Sequence, residues 1–454
     1  MTGALAALLE RFGPHGDVTR RILRGLAGVG GLGILHRVLG LGVALVLARH
    51  LGTYAYGQYA FATSLVAMLA VVSTFGVPPV TMRELARHHE NADFGRMAGQ
   101  VRAGWTYTFI TVALALAVGL LVLPAGGWMA AFDRPTYLVA LALVPAGAAL
   151  ALICGQLQGL RQAIQSSLPS LVVQPIAMLL LVVGLVLLAG AKLSAAQAMA
   201  LNVATTLLAL VFAWSRLRHY FPKEARAADP IAPDPQWPIV LPFVLLAGLS
   251  FINGRADVIM LGAIATPDDV GLYRVAFQGA QLVGFPLLAI GSAFAPEVAA
   301  LGRKARPEAL GRLLGLGATL TGLGALLAFL GAFVAGKWAI AFVLGTVYIP
   351  AWLPLMILAA ANLVTGLFGP VGMLLNMQGH ERRTLHAGIF SAVANVVLNA
   401  ILIPPYGMVG AAAATAASML AWNLSLGLLL RRQTGVWPGP FAWLASRGAG
   451  AAGQ

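Results

Sequence analysis

Apolar residues run along this chain in long blocks, separated by short polar segments. Twelve such blocks lie near 25–48, 58–80, 100–123, 137–157, 168–190, 196–215, 239–263, 273–296, 311–335, 351–376, 384–403 and 408–430. Each is long enough for a helix to cross a ~30 Å hydrocarbon core, which takes about 20 residues. None alternates with the period of two that marks a membrane barrel strand. Leu, Ala, Val and Gly fill the blocks, as in membrane helices that pack through small side chains. The pattern predicts an all-α polytopic membrane protein of about twelve transmembrane helices. Prolines at 242, 286, 296, 370, 404 and 405 predict kinked ones.

The longest polar interruption, 216–238, is rich in charge and proline. It divides the chain into a segment 1–24, an N-lobe 25–215 with helices 1–6, a linker 216–238, a C-lobe 239–430 with helices 7–12, and a tail 431–454. Two short matches relate the lobes. Gly57-Gln58-Tyr59-Ala60-Phe61-Ala62 recurs as Gly271-Leu272-Tyr273-Arg274-Val275-Ala276, an offset of 214 (271 − 57). Leu157-Gln158-Gly159-Leu160-Arg161 recurs as Met377-Gln378-Gly379-His380-Glu381-Arg382, which pairs Gly159 with Gly379 at an offset of 220. Their equivalent positions predict a 6+6 parallel repeat, an arrangement that places transporter sites between the halves near mid-membrane.

Composition agrees: 59% of the 454 residues are hydrophobic and 10% charged, against roughly 25% charged in soluble proteins. A net charge of +14 would point to nucleic acid in a soluble chain, but its placement here points elsewhere. Of the 29 Lys and Arg, 22 fall on the side that carries both termini and the linker, and four (Arg49, Arg134, Lys192 and Lys337) on the other. The positive-inside rule then puts both termini in the cytoplasm. Residues 1–24, whose short apolar run is broken by Glu10 and Arg11, read as a helix on the inner membrane surface rather than a cleaved signal. Cys154 stands alone, so no intramolecular disulfide is expected.

The remaining three basic residues lie inside predicted helices: Arg37 in helix 1, Arg255 in helix 7 and Arg274 at the start of helix 8, close to Gln278 and Gln281. Arginine at the centre of a bilayer costs at least ~2.5–3.5 kcal/mol, so such residues turn toward a bundle interior or a wet cavity. Against them stands one clear mid-membrane carboxylate, Asp257, which either pairs with an arginine or couples an ion. Glu297 and His36 are further candidates for coupling to protons or Na⁺. The excess of guanidinium predicts a cationic cavity suited to phosphate or carboxylate. Asn362, Asn376, Gln378, Asn395, Asn399 and Asn423 in helices 10–12 read as structural hydrogen-bonding groups before sugar ligands. Asp268-Asp269 reads as a turn or helix cap in a nine-residue loop.

Phosphate-loop, zinc-protease and nucleophile-elbow signatures are missing. Gly28-Val29-Gly30-Gly31-Leu32-Gly33 fits a dinucleotide fingerprint only in letters, because it enters a membrane helix with no strand before it. Outer loops are short, the longest being 336–350. The sequence therefore reads as a secondary-type transporter rather than an enzyme, with no cofactor, metal or nucleic acid.

Several stretches resemble one known family. Leu47-Ala48-Arg49-His50-Leu51-Gly52 with Tyr56-Gly57-Gln58-Tyr59 is similar to its first helix exit and second helix start. Phe75-Gly76 with Arg83-Glu84-Leu85-Ala86-Arg87 is similar to its first inner loop. Asp257 to Gly262 with Val270-Gly271-Leu272-Tyr273, and Asn395, Asn399 and Pro404-Pro405-Tyr406-Gly407, are similar to its later helices. On these stretches the chain resembles the polysaccharide transporter family of O-antigen and exopolysaccharide flippases, within the multidrug/oligosaccharidyl-lipid/polysaccharide exporter superfamily. The resemblance implies a two-lobed carrier in the bacterial cytoplasmic membrane. By alternating access it would move a polyprenyl-pyrophosphate-linked glycan, among membrane lipids and other polysaccharide assembly proteins. Arg37, Arg255 and Arg274 would form the substrate cavity. A multidrug or cation antiporter of the same superfamily is the alternative.

Overall fold

The computed structural model describes residues 29–122, 133–189, 193–233, 237–301, 307–435 and 437–440. The surface helix expected over 1–24 lies outside them, as do most of the tail and, within 237–301, several side chains including that of Glu297. The described residues are almost all helical. In chain order the helices are α1 Val29–Thr74, α2 Val77–Glu90, α3 Phe94–Val122, α4 Arg134–Leu141, α5 Leu143–Gly159, α6 Ala163–Leu168, α7 Gln174–Ala189, α8 Ala195–Tyr220, α9 Lys223–Ala227, α10 Trp237–Ile264, α11 Pro267–Leu301, α12 Pro307–Val343, α13 Trp352–Phe368, α14 Val371–Met377 and α15 Glu381–Thr434. A π-helical turn, Pro169–Val173, joins α6 to α7, and a 3₁₀ turn, Thr346–Ala351, precedes α13.

Eight of these segments are long and apolar enough to span a membrane among the described residues. Two of the eight hold two predicted spans each. α1 breaks at Gly52 (φ 75°) and α15 at Gly407 (φ 52°), left-handed conformations that glycine adopts without a Cβ penalty. With α10 and α11, the helices of the two other predicted spans, the twelve expected crossings are all helical. Short connections are closed by local chemistry. Ser194 and Gln197 form a reciprocal capping box at the start of α8, with bonds of 3.2 and 2.9 Å. Thr266 and Asp269 do the same at α11, where the Asp269 carboxylate accepts from Thr266 N at 3.3 Å and the Thr266 hydroxyl from Asp269 N at 3.2 Å. The nine-residue loop expected there shrinks to Ala265 and Thr266, because Pro267 can open a helix directly. The outer loop expected over 336–350 is likewise mostly helix, since α12 continues to Val343 with Trp338 and Phe342 exposed on its surface.

Both repeats have structural counterparts. Gly57 and Gly271 lie in reciprocal contact: a Cβ on Gly57 would collide with the Pro267 carbonyl, and one on Gly271 with the Thr53 carbonyl. Since 57 − 53 equals 271 − 267, the two lobes meet here through equivalent residues, as in a two-fold contact. The second repeat is out of register by two. Leu157–Gln162 and Leu375–His380 form the same turn, with Gln162 N donating to Leu157 O and His380 N to Leu375 O, both at 2.9 Å. The left-handed residues are Arg161 (φ 60°) and Gly379 (φ 85°), an offset of 218 (379 − 161) rather than 220. Glycine identity pulled the sequence match onto Gly159, which is the last residue of α5.

The core explains the shape. Buried clusters nearer the Gly52 end draw on both lobes: Phe61, Leu65 and Tyr137 pack with Val258, Leu261 and Tyr273, and Leu47, Tyr56 and Met178 with Leu272, Val275 and Tyr348. Clusters nearer the linker belong to one lobe each, Leu85, Met97 and Leu157 to the first and Leu310, Leu374 and Leu426 to the second. The lobes are therefore fused at the Gly52 end. Further bonds seal it: the Thr53 hydroxyl donates to Asp268, the Tyr348 hydroxyl to Ala48 O at 2.7 Å, and Arg49 to Val343 O at 2.7 Å at the C-terminus of α12. At the linker end the lobes touch where Gly76 meets Val240 and Phe243.

Candidate functional site

Beneath the sealed end, a cavity of about 310 Å³ lies between the lobes. From the C-lobe it is lined by Arg255 on α10 and by Arg274 and Gln278 on α11. From the N-lobe come His36, Tyr56 and Tyr59 on α1, Ser170 and Gln174 around the π turn, and Asn202 on α8. The wide π turn, with Gln174 N bonded back to Pro169 O, re-aims α7 so that Ser170 and Gln174 reach the same wall.

Two of the three predicted arginines are thus brought together. No carboxylate of the described residues lies within 4.0 Å of Arg255 or Arg274. The Arg274 guanidinium sits 5.7 Å from the centre of the Phe277 ring, and Arg255 is half-buried. Two guanidiniums with no ion-pair partner among the described residues leave forked donors at the cavity wall, a geometry that suits bidentate oxyanions.

Arg37 does not join them. It is exposed and is absent from the cavity lining, which its neighbour His36 joins. Consecutive helical residues point about 100° apart, and here the turn of α1 brings His36 rather than Arg37 to the cavity. The assignment of Arg37 to the cavity is corrected on this geometry. The buried His36 Nδ1 has no hydrogen-bond partner among the described residues.

Asp257 is buried, 4% exposed, on the other side of α10 from the cavity. Its Oδ1 accepts from Val258 N at 2.8 Å, and its Oδ2 accepts from the Tyr273 hydroxyl and, at 3.5 Å, from the Thr415 hydroxyl. Asn395 donates to Ser418 at 3.0 Å, and Asn399 donates to Asn395 at 3.1 Å. The expected pairing of Asp257 with an arginine is not made among the described residues; hydroxyls take that place. Asn395 ties the two halves of α15 across the Gly407 break and Asn423, which donates to Thr365 at 2.9 Å, ties α15 to α13, while Asn399 bonds back to Asn395 on its own helix. Glu297 is on α11, with its side chain outside the described set.

The N-lobe wall went unread in the sequence. Asn202 donates to the Tyr59 hydroxyl at 2.9 Å, and Gln174 donates to Thr206 at 2.8 Å and to Asn202 at 3.4 Å. Tyr56 and Tyr59 stack with centroids 6.4 Å apart. An amide in an otherwise apolar run was the available signal. Gln278 completes the ring by donating to Gly40 O at 3.4 Å, which links α11 to α1.

Comparison with known proteins gives three kinds of match. Residues 22–299 match the model of a family described as polysaccharide biosynthesis protein. A probable low-salt glycan biosynthesis flippase, Agl15 of Haloferax volcanii, is 26% identical over 162 residues, which are 36% of this chain and 34% of that protein. The match thus spans about a third of the curated relative's length. Among solved structures, the lipid II flippase MurJ in an inward closed conformation has a TM-score of 0.69 at 14% identity, covering 88% of this chain and 87% of that one. An inward-facing multidrug resistance transporter of the MATE family has a TM-score of 0.70 at 14% identity, covering 88% and 94%. These two structures share the fold with this chain.

Proposed function

This chain belongs to the polysaccharide biosynthesis protein family, and from that premise we propose that it is a flippase for polyprenyl-pyrophosphate-linked oligosaccharide, serving cell-surface polysaccharide biosynthesis. One observation carries the reading: two guanidiniums without a carboxylate partner among the described residues share a cavity between the lobes of a multi-pass membrane protein. A pyrophosphate matches two forked donors in charge and geometry. The amide and tyrosine wall opposite suits hydroxyl-rich sugar, and the lobe-to-lobe placement lets one head group be held by both halves. The protein transports and does no covalent chemistry.

We place the linker end in the cytoplasm and the sealed end outside, in a bacterial inner membrane; the excess of basic residues at the linker end supports that orientation. A cysteine at Ser194 should then label from outside the cell and one at Glu90 should not; the reverse pattern would overturn the orientation.

Ion coupling, by protons or Na⁺, is assigned to Asp257. It is linked to both cavity arginines: α10 carries Arg255 and Asp257 two residues apart on opposite sides, and α11 carries Tyr273, which binds Asp257, beside Arg274. A change of charge at Asp257 therefore acts on both helices that hold the cavity arginines.

The test is reconstitution in proteoliposomes with a fluorescent polyprenyl-pyrophosphate saccharide beside a cationic dye. Protein-dependent flipping of the saccharide lipid, lost in Arg255→Gln, is the expected result. Dye transport without lipid flipping would move the chain to the multidrug antiporter reading, which the shared fold with the MATE transporter makes the competitor.

A further inference from the structure

We propose that an apolar groove between α1, α11 and α12 holds the first part of the substrate's lipid chain while its charged head occupies the arginine cavity. The inference rests on the flippase reading and adds a second binding surface to it. The groove encloses about 410 Å³ and shares Ala44, Tyr56 and Gln278 with the arginine cavity, so the two spaces adjoin on either side of these side chains. One amphiphile of pyrophosphate and isoprenoid can therefore lie across the shared wall with each part in matching surroundings.

The surface of α12 shows that this space is built. Its large side chains, Leu327, Val334, Trp338 and Phe342, stand 71–86% exposed, as a lipid-facing surface does. The groove face of the same helix carries small residues from Ala328 to Ala339 (Ala328, Gly331, Ala332, Ala335, Gly336 and Ala339), with Ile340 and Val343 closing it at the sealed end. In membrane helices such a face ordinarily lets another helix approach closely. At Gly331 none does: a Cβ there would meet nothing within 4 Å, while at Gly336 Trp352 of α13 comes to van der Waals distance, 3.8 Å. Small residues lining an unfilled channel leave room for a branched chain to slide. The groove lies in the half of α12 nearer the sealed end, level with Arg274 of α11.

Two ligands with one head group test this: a long-chain polyprenyl-pyrophosphate saccharide, and the same saccharide on a ten-carbon isoprenoid pyrophosphate. Gly331→Phe projects a ring into the groove from a position where a Cβ meets nothing within 4 Å. It should weaken the long-chain ligand at least about tenfold, the equivalent of losing burial of roughly two methylenes. Binding of the short-chain ligand should stay within about twofold, while Arg255→Gln should weaken both. Equal effects of Gly331→Phe on the two ligands, or no effect on either, would overturn the groove assignment and leave the flippase reading standing. Failure of the unaltered protein to bind either ligand would sink that reading and the groove with it. As a second measurement independent of folding in the variant, a diazirine on the isoprene next to the pyrophosphate should label α12 between 331 and 339 in the unaltered protein. Equal labelling by a diazirine phospholipid would show a general lipid surface and overturn the proposal.

Discussion

Two polar regions lie back to back on α10, centred on Arg255 and Asp257, two residues or about half a turn apart. Around Asp257 the donors and acceptors are largely matched: a backbone amide, two hydroxyls and the Asn395–Ser418 pair fill the space. Around Arg255 and Arg274 the donors outnumber the acceptors, and a cavity stands in front of them. Both regions cost desolvation energy, but only the first recovers it within the chain. Buried polarity that satisfies itself holds helices in place; buried polarity left open has room for a ligand. On the proposed function the first region would serve coupling and the second recognition, two residues apart on one helix.

The comparison breaks first at the arginines. Replacing Arg255 and Arg274 together by Gln should lower head-group affinity by about 100-fold or more, since hydrogen bonds to charged groups contribute ~1.5–3 kcal/mol each and ~1.4 kcal/mol is tenfold. Equilibrium binding of the saccharide pyrophosphate to detergent-solubilised protein checks it, and unchanged affinity would remove the cationic site.

Asp257→Asn keeps the shape and the Tyr273 contact while deleting the charge. Flipping driven by a proton or Na⁺ gradient should fall about tenfold, within the ~1–3 kcal/mol typical of coupling between sites, with head-group affinity nearly unchanged. A loss of affinity equal to that of the arginine variants would make the two regions one site.

Arg37→Ala should leave transport within about twofold of the unaltered protein, because an exposed charge contributes little. Flipping abolished by this change would return Arg37 to the cavity against the geometry of α1.

The twelve spans were legible because hydrocarbon thickness sets a length that any apolar run declares. The internal repeat was legible too, since Gly57 and Gly271 recur with their neighbours, but that the two glycines meet in space was not. Which side of α1 faces inward was not. Residues 31–48 are so uniformly apolar that no polar stripe marks a face, and the charge of Arg37 drew attention that belonged to His36. Gln174 and Asn202 were lost for a related reason: one amide in a membrane helix looks the same whether it ties helices or lines a wall. The register of the second repeat failed where one lobe uses arginine in a left-handed position that the other fills with glycine.

The reciprocal contact of Gly57 and Gly271 has a consequence for how such a chain can diverge. Backbone meets backbone there, so neither position can take a side chain unless the opposite helix withdraws. Each lobe is free to vary its walls, its amides and its charges separately, but at this point they are bound to a joint history. A duplicated gene that drifted elsewhere would still carry the pair, and a chimera assembled from the lobes of two distant relatives should close only if each brings its own glycine.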